Sequence, residues 1–318
     1  MKAEVHCIQV GWGDAHFIRL PSGHLTLVDG GDLPENVPGG DTAAGWMDRC
    51  GEERLDCMIL THLHDDHLNG LLEVARRKRV LEAVLPYKPF VLPESILAGR
   101  EREDQTGLVC RLLARYLELV ALLQENGTRL IWRDGYGQKD QAAIWHREGY
   151  TFEQLHPRQD DPLPAWAALT EALLACRNEI GAAGAGWLER FHQLSNHDSS
   201  VYLLTRDEAS GDGGVLFGGD LLEEGWKRLA QRLQLRCRVW KAPHHGVNDA
   251  FNAATLRLTR PEVAIIPICS ERAQALQAQW TSLASEELGQ DVQLRITGDV
   301  PPGTSKLITD GDILVYIG

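Results

Sequence analysis

The 318-residue chain has no apolar run approaching the ~18–20 residues that a membrane-crossing helix requires. Its start, Met1-Lys2-Ala3-Glu4-Val5-His6, meets an acid at once and lacks the apolar core of a secretory signal. Positive charge is scarce: 32 Lys and Arg face 45 Asp and Glu, for a formal net charge of -13. That balance argues against adhesion to nucleic acid or anionic lipid through a general positive field. A nucleic-acid substrate stays open, because bound metal ions reverse the local sign. The seven cysteines (Cys7, Cys50, Cys57, Cys110, Cys176, Cys237, Cys269) are odd in number and form no Cys-x-x-Cys. A zinc ribbon or dithiol redox centre is thereby disfavoured, and they read as reduced thiols packed as small hydrophobes. No repeat of 20–50 residues is visible. What remains is a soluble protein, expected in the cytoplasm and not at a membrane.

Hydrophobic residues at 43% and charged residues at 24% fit an ordinary globular chain and exclude wholesale disorder. Strand-like runs fall at 5–10, 15–20, 25–28, 56–61, 200–205, 214–217, 237–242 and 263–268. The Pro-, Gly- and Asp-rich stretch 32–41 reads as a loop, and helical spacing covers 68–80. Between 88 and 192 the character changes. Helical patterns dominate at 108–124, 165–178 and 186–194, with strand-like runs only at 129–132 and 151–155. Helices follow at 221–233 and 271–288, and an Asp-Gly turn predicts a C-terminal hairpin of 306–309 with 313–317. Strands and helices alternate in both halves, which favours a layered α/β fold. Length alone would allow about two domains. The expectation is one domain over 1–318, with 88–192 a largely helical insertion that shapes the cleft, docks a partner or mediates homo-oligomerisation.

Six of the twelve histidines lie in three short loops beside these strands. The densest is His62-x-His64-x-Asp66-His67. In an extended chain residues i and i+2 point the same way, so His62 and His64 can meet one metal ion. Asp66 and His67, past the strand end, can face a second. Imidazole with carboxylate suits zinc, and also manganese or iron. Asp220 follows the apolar run Val215-Leu216-Phe217 and two glycines, where a carboxylate can bridge two cations with its two oxygens. In Pro243-His244-His245-Gly246, one histidine can bind metal while the other points at substrate. His197, in Ser195-Asn196-His197-Asp198, is a further candidate. No Ser-His-Asp arrangement competes, since Ser199-Ser200 lacks a nucleophile elbow. Gly11-x-Gly13 is too short for a dinucleotide loop. The basic run Arg76-Arg77-Lys78-Arg79 reads as solvated cations at a helix end, or as a phosphate-contacting edge.

Together these motifs resemble the metallo-β-lactamase fold superfamily, whose mark is HxHxDH followed downstream by a His, an Asp and a His. The resemblance is closer to the hydrolase domain of competence-type DNA-uptake proteins and their stand-alone relatives. It rests on 10–15 (Val-Gly-Trp-Gly-Asp-Ala), 27–31 (Leu-Val-Asp-Gly-Gly), 61–67, 217–220 and 243–246, and covers roughly residues 5–85 and 195–318. It implies an αββα sandwich with metals at one edge between the sheets. The ligand set it implies is His62 and His64 for one ion, Asp66 and His67 for the other, Asp220 bridging, and one of the His244-His245 pair, read as His244. His197 or Asn196 fills the middle ligand slot. Asp14 and Asp29 are expected to orient ligand histidines. The family's Gly-Gly after HxHxDH is here Asn69-Gly70.

The resemblance further implies two divalent ions, zinc foremost, and hydrolysis of a phosphodiester by a nuclease or small phosphodiesterase. Asp66 and His245 are the catalytic candidates, His245 donating a hydrogen bond or proton to the phosphoryl group. The alternatives are hydrolysis of another ester, a thioester or a lactam, iron-dependent oxygen chemistry, or a non-catalytic partner-binding module that keeps the fold.

Overall fold

Strand alternation organises the molecule. In the computed structural model, residues 2–33, 41–136, 142–207, 213–286, 292–299, 307–309 and 311–317 are described. Among them the strands are β1 (Ala3–Cys7), β2 (Ala15–Arg19), β3 (Leu25–Gly30), β4 (Arg54–Ile59), β5 (Arg79–Leu85), β6 (Arg129–Trp132), β7 (Ala143–Arg147) and β8 (Tyr150–His156). They continue with β9 (Val201–Arg206), β10 (Val215–Phe217), β11 (Val239–Lys241), β12 (Val263–Ile266), β13 (Gln293–Ile296), β14 (Leu307–Thr309) and β15 (Ile313–Ile317). One sheet runs β15-β1-β2-β3-β4-β5-β6 and the other β14-β13-β12-β11-β10-β9-β8-β7.

The period of two decides which side chains meet. Cys57, Ile59, Val215, Phe217 and Val239 join the core between the sheets. Met58, between Cys57 and Ile59 in the chain, turns outward under helices α1 (Ala43–Cys50), α2 (Asp65–Arg77), α3 (Glu94–Gly99), α4 (Gln105–Glu125), α5 (Pro164–Ala175) and α6 (Ala182–Leu194). Leu216 and Trp240 turn outward under α7 (Glu223–Ala230), α8 (Ala253–Thr259) and α9 (Ser270–Glu286). Three apolar layers result, in the αββα order of the expected sandwich. All seven cysteines are free, five of them buried. No helix among the described residues is long and apolar enough to cross a membrane.

Two expectations are corrected. The helix expected at 68–80 spans Asp65–Arg77 and stops where Lys78 turns extended, so that 79–85 forms β5 beside β4. Charge in Arg77-Lys78-Arg79 hides that strand from a hydrophobic pattern. The C-terminal hairpin does not form. β14 pairs in parallel with β13, while β15 pairs antiparallel with β1 in the other sheet. Within 88–192, helices α3 to α6 stand beside β6, which extends one sheet, and β7 and β8, which extend the other. The loop expected at 32–41 lies mostly outside the described residues.

Candidate metal centre

β3 and β4 run parallel, as do β10 and β11, so their chain ends deliver side chains to one edge of the sandwich. Asp29 comes from β3, Thr61 to His67 follow β4, Asp220 follows β10, and Lys241 to His245 close β11. The approach is tight. A Cβ on Gly70 would lie 1.8 Å from the Gly30 carbonyl oxygen, and one on Gly13 would lie 2.4 Å from that of Asp66. Only glycine permits α2 to seat on β3 and the 11–14 loop to seat on the ligand loop. That explains why Asn69 can replace the first glycine of the family pair but Gly70 is kept. Asn69 instead donates from Nδ2 to Asp32 Oδ1 at 2.6 Å.

Each of four histidines has one ring nitrogen engaged outside the cage. His67 Nδ1 lies 2.9 Å from Asp29 Oδ2, and His245 Nδ1 lies 3.1 Å from the Pro267 carbonyl. His64 Nε2 lies 3.0 Å from the His192 carbonyl. His62 Nδ1 meets Thr61 Oγ1 at 3.0 Å, whose hydroxyl donates to Asp29 at 2.8 Å. A ring N–H committed to an oxygen leaves the other nitrogen's lone pair free. The free atoms are His62 Nε2, His64 Nδ1, His67 Nε2 and His245 Nε2, and all face inward. His62 Nε2 and His64 Nδ1 are 3.1 Å apart. Two ligands on one tetrahedral zinc sit roughly 3.4 Å apart.

Asp220 lies between the two histidine groups. Its Oδ2 is 3.4 Å from His67 Nε2, 3.4 Å from His245 Nε2 and 3.9 Å from His62 Nε2. Asp66 Oδ2 lies 3.2 Å from His245 Nε2 and 3.8 Å from His67 Nε2. A single oxygen, Oδ2, faces both sides, while Oδ1 points to Lys241 Nζ at 3.6 Å. Lys241 also contacts the Asp14 carboxylate and donates to the Gly219 carbonyl at 2.9 Å. Asp14 in turn lies 3.4 Å from His245 Nδ1.

Sequence reasoning missed Lys241, although an alternation signal existed: it stands two residues after Val239 on the same inward face. It also missed the buried anchor Asp198. That carboxylate accepts from the Ala165 and Trp166 N–H groups at the start of α5, at 3.0 and 2.9 Å, and from Tyr87 Oη at 2.8 Å. Arg133 contacts the Asp198 carbonyl and lies 3.4 Å from that of Thr61, tying the anchor to the ligand loop.

Of the pair, His245 and not His244 is the one that lies with the other donors. His245 is buried and grouped with Asp66 and His67, whereas His244 is half-buried outside these groups. His244 Nδ1 lies 2.8 Å from Asp249 Oδ1, and its Nε2 faces Asn196 Nδ2 at 3.2 Å. Both rings sit at left-handed backbone, φ 49° and 50°, which sends adjacent side chains different ways. His197 is not brought to the centre. Its ring belongs to none of the donor groups among the described residues. The 3₁₀ turn Ser195–Asp198 turns Asn196 inward instead, with Oδ1 buried and unpartnered.

Charges are strongly coupled. Burial would lower His67 and His245, but Asp220 and the other carboxylates outweigh it and hold both well above 6.5 in the metal-free protein. Burial and the neighbouring His67 push His62 well below it. Asp66 is held down to about 2, burial being outweighed by the adjacent His67 and His245. Lys241 stays above its ordinary value because Asp14 and Asp220 overcome its burial.

His67 Nε2, His245 Nε2 and Asp220 Oδ1 are buried without a hydrogen-bond partner. Four inward imidazole nitrogens with two carboxylates form a donor set suited to divalent ions, so the residues fit a bound metal. Comparison with known proteins agrees. Residues 13–158 match the family described as the metallo-beta-lactamase superfamily. A 65-residue stretch, 19% of this chain, is 40% identical to the "Zinc phosphodiesterase ELAC protein 2 homolog" of Caenorhabditis elegans but spans only 8% of that protein. Among solved structures, the metallo-beta-lactamase fold protein YhfI of Bacillus subtilis aligns over 98% of this chain and 99% of its own, at 10% identity and TM-score 0.45. Human tRNase Z, short form, aligns over 99% of both chains at 12% identity and TM-score 0.44. CmlA, a diiron beta-hydroxylase from Streptomyces venezuelae, aligns over 84% of this chain and 46% of its own, at 14% identity and TM-score 0.41. The chain carries a metallo-beta-lactamase superfamily domain, the fold of a metal-dependent hydrolase.

Proposed function

We propose that the chain hydrolyses phosphodiesters with two divalent ions, zinc foremost. The observation that carries this is the set of ring partners: four histidines each have one ring nitrogen anchored, and His62, His67 and His245 turn the other toward Asp220 Oδ2 while His64 turns its own toward His62. His62 and His64 would hold one ion, and Asp66, His67 and His245 the other. Divalent ions so held supply an activated water at neutral pH and polarise the scissile ester. The choice of phosphodiester draws on the printed name of the worm relative and on the competence-type motifs.

The chain's own residues do the rest. Asp29 and Asp14 fix the rings of His67 and His245. His244, anchored through Nδ1 on Asp249, accepts at Nε2 from the Asn196 amide and, protonated there once substrate displaces that amide, would give a proton to the leaving oxygen. It takes the part first given to His245. Purified protein with zinc or manganese is to be tested on bis-(p-nitrophenyl) phosphate, single-stranded DNA, a thioester and nitrocefin. Cleavage of the phosphate esters is expected, and cleavage of the thioester alone ends this reading.

A further inference from the structure

Lys241 is 1% exposed, a depth at which lysine is rarely found without a partner. Four carboxylates crowd the same edge: Asp14, Asp29 and Asp220 are buried, and Asp66 lies against them. The Lys241 ammonium contacts Asp14 and faces Asp220 Oδ1, the oxygen turned away from the histidines. It therefore shares carboxylates with the ions without occupying the oxygen that faces them. Buried carboxylates repel one another and are costly to desolvate unless a cation compensates them.

We propose that Lys241 is the built-in counter-ion of this centre. It keeps the metal-free cage folded by offsetting carboxylates that divalent ions neutralise once bound. Because ammonium and ions draw on the same negative charge, its presence also weakens ion binding. The sign is opposite to that of an ordinary ligand: removing the side chain tightens the metal. A lysine that merely filled space would leave both forms equally destabilised. The inference goes beyond the proposed hydrolysis and holds whatever ester is cleaved.

The test compares wild-type protein with Lys241→Met, each stripped with a chelator and then reloaded with zinc, at pH 8. Thermal melts are expected to show a loss in the stripped variant at least twice that in the loaded one. Competition with a chromophoric chelator is expected to show zinc bound at least 10-fold more tightly by the variant. Equal losses in both forms, or weaker zinc binding, overturn the proposal. If stripped Lys241→Met does not accumulate folded, the double variant Asp14→Asn plus Lys241→Met removes both charges. It is expected to melt near wild type when stripped, and failure to do so also overturns the idea.

Discussion

The two sides of Asp220 are built differently. On one side Asp66, His67 and His245 are packed around Oδ2, with Asp29 and Asp14 behind them, and every part comes from the sheet ends or from α2. On the other side His62 and His64 stand with free nitrogens 3.1 Å apart. The partner that fixes His64 is the carbonyl of His192, in the last turn of α6. One side is closed by carboxylates, and the other is open of them and leans on the helical segment through His64. A metal held there would keep room among its ligands for water or substrate. The contrast teaches that the two groups of histidines are fixed by different parts of the chain.

Asp220→Ala removes the oxygen common to both sides and carries the largest expected effect. Ion content should fall at both positions and phosphodiester turnover by about 10³-fold or more, equivalent to several kcal/mol of lost stabilisation. Metal analysis and kinetics on one preparation check it. A sharper test of the asymmetry sets Asp66→Ala against His64→Ala. The first should release the ion of the closed side, and the second should leave that ion bound while activity falls. Equal ion loss from both variants would break the comparison.

Much of this was readable in advance. Buried strands stop at Asp29, Thr61, Phe217 and Lys241 because apolar runs end at polar or glycine residues, and those ends carry the donors. The layered fold follows from the same alternation. What stayed hidden depends on backbone turns or long-range pairing. Whether His244 or His245 turns inward is decided by two left-handed residues, and whether Asn196 or His197 does so by one 3₁₀ turn. No local pattern announces either. The C-terminal Asp-Gly signal implies a hairpin, but the competing edges β1 and β13 take its two strands apart. Lys241 was overlooked because lysine at a strand end reads as solvent-facing, and its inward register appears only beside Val239.

Asp198→Ala probes how the open side is supported. The carboxylate caps α5, receives the Tyr87 hydroxyl and lies 3.7 Å from Arg133 Nη2, all within the interior. Breaking one member of a buried charged pair costs about 3–5 kcal/mol. Denaturant unfolding should show that loss, with ion content of the closed side retained in the folded fraction. Loss of that ion together with the helices would mean the two sides are not separable.

Acidity gives a smaller and oppositely signed test on the two forms of the closed side. His67 and His245 are held above 6.5 without metal, so their contribution to folding is complete below pH 6.5. It fades as pH rises through their raised values. Stripped protein should therefore lose stability above about pH 6.5. Metal-loaded protein, whose ligands must be deprotonated, should hold or gain. Melts of both forms between about pH 6 and 9 should diverge, and parallel curves would refute the protonation assigned to the cage.

The least effect is expected far from either side, in the basic run. Arg76 contacts Glu118, Arg77 reaches Glu73 at 2.7 Å and also Asp48, and Lys78 lies 2.9 Å from both Asp48 and Glu53. These cations are already paired within the protein, and a pair this exposed is worth ~0.2–1 kcal/mol. Arg76→Gln with Arg77→Gln should cost stability of that order and leave DNA cleavage unchanged. A phosphate-contacting edge predicts otherwise: each lost contact lowers the slope of log affinity against log salt by roughly 0.7–0.9. A salt titration of the double variant therefore separates the two readings of the run. A flat difference confines nucleic-acid contact to the open side of the centre, while a reduced slope would carry the substrate path out along α2.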